Sequence, residues 1–177
     1  MDNPYSNPAG EWIRGSFHGH CSENSACSSV PLALSVGQYA ALGVGFVTLT
    51  DHDIVTDLAA MRSTYNGLVF LEGFEYSSRE NVVFVGPSVE PLHELPLEEA
   101  LRCAADLLTV VCHPRPHASG RDYWTREMLE ALGTWPDGIE VYNGHYGIES
   151  AIASGRWPLY ADFWDDLLSA GHHVWGY

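Results

Sequence analysis

Residues 44–53 read VGFVTLTDHD. The run begins apolar and β-branched and ends in three polar, metal-capable residues, Asp51, His52 and Asp53. Such a segment reads as a buried strand whose C-terminal end opens onto polar chemistry. The same design recurs along the chain. WIRGSFHGH (12–20) ends in His18 and His20, and LVFLEGFEY (68–76) ends in Glu75. TVVCHP (109–114) ends in His113, while DGIEVYN (137–143) ends in Glu140 and Asn143. NVVFVG (81–86) and HHVWGY (172–177) add two further strands.

Helical stretches separate most of these strands. VPLALSVGQYAALG (30–43) carries Pro31 in its first turn and Gly43 at its end. IVTDLAAMRSTYNG (54–67), PLEEALRCAADLL (96–108), TREMLEALG (125–133) and WPLYADFWDDLLSAG (157–171) complete the set, with Thr125 as an N-cap. Alternating strands and helices predict a mainly parallel α/β sheet, open or closed as a barrel. In parallel α/β folds the C-terminal strand edge is where sites are built, and that is where this chain collects its histidines and carboxylates. No repeat, linker or low-complexity tract divides residues 1–177, so one domain is expected.

A 177-residue chain with 46% hydrophobic and 18% charged residues is globular rather than disordered. Its formal charge of −15 argues against an extended nucleic-acid-binding surface. It leaves room for a phosphorylated substrate if bound cations reverse the local sign. No basic start followed by an apolar run forms a signal peptide, and no apolar stretch is long enough to span a membrane. Cys21, Cys27, Cys103 and Cys112 form no CxxC pair and read as free thiols, so a cytoplasmic location is expected.

Each cluster has an ordinary reading beside the chemical one. His18 and His20, two apart on a strand, face the same side and can converge on one ion, or merely decorate a surface. Asp53 fits the N-cap of the following helix. Only one of Glu72 and Glu75 can face a pocket on a regular strand. Five clusters at the same end of successive strands make a metal site the better reading.

In order and spacing, FHGH, VTLTDHD, GFE, VCHP and GIEVYN resemble the PHP (polymerase and histidinol phosphatase) superfamily of metal-dependent phosphoesterases, from about residue 12 to the last residue. The resemblance implies a distorted (β/α)7 TIM-like barrel with two or three divalent ions, zinc, manganese or iron. It implies His18 and His20 as ligands of a first metal, His52 of a second, Glu75 as a bridging carboxylate and His113 as a ligand of a third. Glu72 falls outside the motif. Asp51, Glu140 and Asn143 are expected to support the ligands or contact substrate.

Three departures from the family pattern stand out. Ala26 occupies the place of a metal-binding aspartate, with Glu23 as the nearest replacement carboxylate and Cys21 or Cys27 as soft alternatives. Asn81 stands where a histidine ligand often opens the next strand, which points to fewer metals, as few as two. The family's final D-x-H would follow Tyr177, so the chain reads as truncated at its C-terminus, with the last strand incomplete. His172 and His173, at the start of that strand, are poor substitutes.

The expected chemistry is hydrolysis of a small phosphorylated molecule or nucleotide by metal-activated water. Arg115 and Arg121 are candidates for clamping a phosphate or carboxylate, and His145, ahead of His117, for a general acid. Two alternatives are a degenerate metal-binding module without catalysis and a metallohydrolase of another bond. The latter usually relies on a carboxylated lysine, and the chain contains no lysine.

Overall fold

The computed structural model describes residues 10–78, 80–114, 124–155 and 158–177. Its strands are β1 (Gly15–Ser16), β2 (Phe46–Val47), β3 (Val69–Phe70), β4 (Gly73–Tyr76), β5 (Val82–Val85), β6 (Leu108–Val111), β7 (Gly138–Ile139) and β8 (Trp175–Gly176). Its helices are α1 (Leu32–Ala41), α2 (Ala59–Thr64), α3 (Leu97–Cys103), α4 (Arg126–Ala131), α5 (Glu149–Ala153) and α6 (Ala161–Ser169).

Local chemistry explains several boundaries. Pro31 is the N-cap of α1, and Gly43, at φ +66°, ends it in the left-handed region that favours glycine. Thr125 Oγ1 accepts the Met128 N–H at 3.3 Å and starts α4. Helix α2 begins later than its sequence pattern predicts. Thr56 donates its hydroxyl to Asp51, and Asp57 accepts from Ala59 N, so residues 54–58 remain a loop. Asp53 accordingly caps no helix; its Oδ1 accepts Ser77 N at 2.8 Å.

The expected barrel is not formed. The strands make two open sheets, one of three parallel strands in the order β1-β2-β3 and one of five in the order β4-β5-β6-β7-β8. Within the second, β4-β5 and β5-β6 are antiparallel, whereas β6-β7 and β7-β8 are parallel. Residues 77–81 alone connect β4 to β5, too few for the helical crossover that a parallel pair needs. The expected strand 68–76 is broken between Phe70 and Gly73, where the chain passes from one sheet to the other. A Cβ at Gly73 would stand 2.8 Å from Phe84 O and 2.9 Å from Thr48 Oγ1, so the crossing requires glycine.

Among the described residues, the links between the sheets are local, and two stand out. One is the isolated parallel bridge His52–Glu75, with Glu75 N donating to Asp51 O at 3.1 Å and Asp53 N to Glu75 O at 2.9 Å. The other is a side-chain bond, Phe17 N to Tyr177 Oη at 2.9 Å. Neither continues the ladder.

Each sheet has its own core, and a third cluster of Val83, Val85, Val110 and Cys112 with Phe17 and Leu71 joins the two. Cys21, Val36, Val47, Leu49, Leu58 and Phe70 cluster beneath α1. The larger core gathers Phe74 and Phe84, stacked 5.1 Å apart, with Leu97, Leu101, Leu129 and Leu167 from the covering helices. Apolar burial on these faces leaves the polar strand ends pointing into one cleft. Among the described residues, no helix is long and apolar enough to cross a membrane.

Candidate metal centre

Glu75 is the hub of that cleft. It is 1% exposed and its two oxygens meet different surroundings. Oε1 accepts from Asn81 Nδ2 at 2.8 Å and lies 3.2 Å from His113 Nε2. Oε2 has three imidazole nitrogens close by: His52 Nδ1 at 3.0 Å, His20 Nε2 at 3.2 Å and His18 Nε2 at 3.4 Å. Yet Oε2 is buried and accepts no hydrogen bond among the described residues. A buried carboxylate oxygen left this way is costly unless a positive charge faces it.

The partners on the outer side of each ring decide where its protons lie. Glu140 Oε1 stands 3.1 Å from His18 Nδ1 and can only accept, so Nδ1 donates. Ser25 Oγ gives its proton to Asp51 Oδ1 at 2.6 Å and therefore accepts from His20 Nδ1 at 3.3 Å. Ser77 Oγ donates to the Glu75 carbonyl at 3.2 Å and accepts from His52 Nδ1 at 2.6 Å. Each imidazole thus offers an Nε2 lone pair to the cleft.

An acceptor-only triangle results. His18 Nε2, His20 Nε2 and Glu75 Oε2 lie 3.2–3.4 Å apart with no donor among these tautomers. Either an added proton or a cation must sit among them. Tetrahedral zinc with nitrogen and oxygen ligands would set such atoms about 3.3–3.6 Å apart. The donor set and its spacing fit a divalent cation.

Electrostatics favour positive charge at this point, a proton as much as a cation. Burial works against charge on His18, but Cys112, Glu140 and Glu75 outweigh it and raise the imidazole well above its ordinary pKa. Burial alone would raise the Glu75 carboxyl, yet the surrounding imidazoles, His113 first, hold it well below the usual carboxylate range. His113, buried at the end of β6 before Pro114, has φ +28°, a strained conformation of the kind that persists at functional sites.

The structure brings His18, His20, His52, Glu75 and His113 together on one cleft of about 720 Å³. Asn143 and His145 also line it. Glu140 stands behind the rings, accepting His113 N at 2.6 Å and Asn143 Nδ2 at 3.1 Å. Asp51 is fully buried and has no substrate contact to offer; it holds Ser25, which orients His20. Glu23 is turned away, with its carboxylate accepting Leu32 N at 2.9 Å on the first turn of α1. Cys21 is equally remote from the cleft, its thiol donating to Asp51 Oδ2 at 3.1 Å. Arg115, His117 and Arg121 lie outside the described residues.

Two cysteines join the cluster: Cys27, one of the soft alternatives to Glu23, and Cys112, which the sequence pattern did not place there. The ligand atoms of His18, Glu75 and Cys112 fall within 4.8 Å of one another, as do those of His20, Cys27 and His52. On a regular strand Cys112 and His113 would face opposite sides, but β6 ends at Val111 and the turn at His113 abolishes that alternation. The usable signal was adjacency to the His-Pro step. No protein-family model matches the chain, and no curated protein matches it.

Proposed function

We propose that the chain is a metal-dependent phosphoesterase acting on a small phosphorylated molecule or nucleotide. The observation that carries the metal centre is the acceptor-only triangle of His18, His20 and Glu75. The ordered motifs resembling the PHP superfamily carry the phosphoester assignment. Divalent cations in such a site make hydroxide available near neutral pH and hold phosphoryl oxygens.

The chain's own residues have distinct tasks. Glu75 offers its two oxygens to both halves of the cluster, while His18, His20, His52 and His113 surround it. Glu140 fixes the His18 ring, and the Asp51–Ser25 pair fixes His20. His145, on the short turn after β7, lines the cleft and is placed to protonate a leaving oxygen. At a net charge of −15 the protein repels a phosphorylated substrate, so local cations are needed for it to enter. Two divalent ions, of zinc, manganese or iron, match the two ligand groups, with His20 giving its one free lone pair to the ion beside Cys27 and His52. Four free cysteines suit a reducing compartment, the cytoplasm.

One observation favours a second reading, a metal-binding module without catalysis. Asn81 holds Glu75 Oε1 through its amide, at the position where a histidine ligand is expected. Metal-stripped protein reconstituted with Mn²⁺ or Zn²⁺ and assayed for phosphate release from p-nitrophenyl phosphate and nucleotides separates the two. Release that depends on added metal supports the phosphoesterase. Stoichiometric binding without release supports the module.

A further inference from the structure

We propose that Cys27 supplies a thiolate to a thiophilic divalent cation, namely zinc, held together with His20 and His52 in the cleft. The inference rests on the metal-centre reading above and deepens it by naming a ligand and the metal it selects.

Geometry comes first. Cys27 Sγ lies 3.3 Å from His52 Nε2, and the ligand atoms of His20, Cys27 and His52 all fall within 4.8 Å of one another. The His20 and His52 rings stack with centroids 4.5 Å apart, so their edges open toward the same space. Because His52 Nδ1 is committed to Ser77 at 2.6 Å, the nitrogen facing the sulfur is the one with the free lone pair. A thiol hydrogen bond would satisfy that nitrogen alone. A cation would satisfy the sulfur and both rings, and the 3.3 Å between Cys27 Sγ and His52 Nε2 is of the order that tetrahedral N and S ligation sets, about 3.3–3.6 Å.

The turn that carries Cys27 is held firmly. Ser25 N donates to Cys21 O at 3.0 Å and Ser28 N to Ser25 O at 3.1 Å. Asn24 Nδ2 reaches Thr56 Oγ1 at 2.8 Å, and Ser28 Oγ reaches His20 O at 3.2 Å. Every other metal-capable side chain of residues 21–28 is engaged elsewhere: Glu23 on Leu32 N and Cys21 on Asp51. Ala26 contributes no donor. Cys27, beside Ser28, is therefore the metal-capable residue that this turn brings to the cleft. A thiolate beside two imidazoles prefers zinc over manganese or magnesium, which favour oxygen.

Cobalt(II) is the probe for the sulfur. The wild-type protein loaded with Co²⁺ is expected to show the near-ultraviolet thiolate-to-cobalt band. Cys112, the other thiol of the cluster, is first removed by Cys112→Ala, and in that background Cys27→Ser should keep its circular dichroism and still take up cobalt, but lose that band. Its zinc affinity should fall at least about 100-fold, beyond the effect typical of residues that only support ligands, while its manganese affinity barely moves. Zinc should also protect Cys27 of the wild type from iodoacetamide, while exposed Cys103 alkylates at the same rate with and without metal. A band that survives in Cys27→Ser, or equal Cys27 alkylation with and without zinc, overturns the proposal. Bound cobalt without a band removes Cys27 but leaves the metal centre standing. Failure to bind any cobalt removes both.

Discussion

Two buried carboxylates stand at the strand ends, Asp51 at 0% exposure and Glu75 at 1%, and their surroundings differ in kind. Asp51 is ringed by donors: Cys21 N at 2.9 Å, the Cys21 thiol at 3.1 Å, Ser25 Oγ at 2.6 Å and the Thr56 hydroxyl. Burial alone would raise its carboxyl, but these bonds, led by Ser25, hold it below the ordinary value. Glu75 has one satisfied oxygen and one, Oε2, that accepts no hydrogen bond and faces the Nε2 lone pairs of His18 and His20. A fold can use the first arrangement as it stands. The second is complete only with a positive charge, which makes Glu75 the candidate ligand and Asp51 its support.

The largest effect should come from Asp51. Asp51→Ala strands the Cys21, Ser25 and Thr56 donors and should cost about 3 kcal/mol or more. That is a large share of the roughly 5–15 kcal/mol by which domains are stable. Urea unfolding measures it; a loss under about 1 kcal/mol would erase the distinction between the two carboxylates. Glu75→Gln should do the reverse. Its amide can donate to a neighbouring Nε2, so the fold persists by circular dichroism. Cation affinity, read by equilibrium dialysis, should fall about 100-fold or more.

A change of pH sharpens the same contrast. The raised pKa of metal-free His18 means that a cation must displace a proton near neutral pH. Affinity should therefore fall as pH drops, by about tenfold per pH unit for one displaced proton. Asp51 and Glu75 contribute nothing to this slope, because both carboxyls are held below their ordinary values. A flat profile between pH 6 and 8 would remove His18 from the ligand set.

What the sequence disclosed follows the same division. Local rules wrote the ends of α1 at Pro31 and Gly43 and the cap at Thr125. Strand-end patterning foretold that His18, His20, His52, Glu75 and His113 would share one cleft. Closure was beyond such rules, because it depends on how strands pair over long range. The break after Phe70, the close approach at Gly73 and the tight β4–β5 connection turned the expected barrel into two sheets. Cys112 was hidden by an alternation that the backbone turn at His113 abolishes. Glu23 looked like a ligand by spacing, but the free N–H at the start of α1 claimed it first.

Smaller effects belong to residues outside the cluster. His145→Ala should lower phosphate release about tenfold to a hundredfold with p-nitrophenyl phosphate replaced by an alkyl phosphate, whose poor leaving group needs protonation. Metal affinity should be unchanged. Equal losses on both substrates would make His145 a binding residue instead.

Glu23 is predicted to matter least, and it separates spacing from geometry. The exposed carboxylate accepts the Leu32 N–H, which holds its pKa below the ordinary value. Glu23→Gln keeps an acceptor for Leu32 N and loses only the favourable charge at the start of α1. The melting temperature should drop slightly, while cobalt uptake and its thiolate band stay intact. Were Glu23 the ligand that its spacing from His20 suggests, the same change would weaken cation binding as severely as Glu75→Gln. One titration of the variant therefore decides whether the turn at residues 21–28 reaches the cleft through carboxylate or through sulfur.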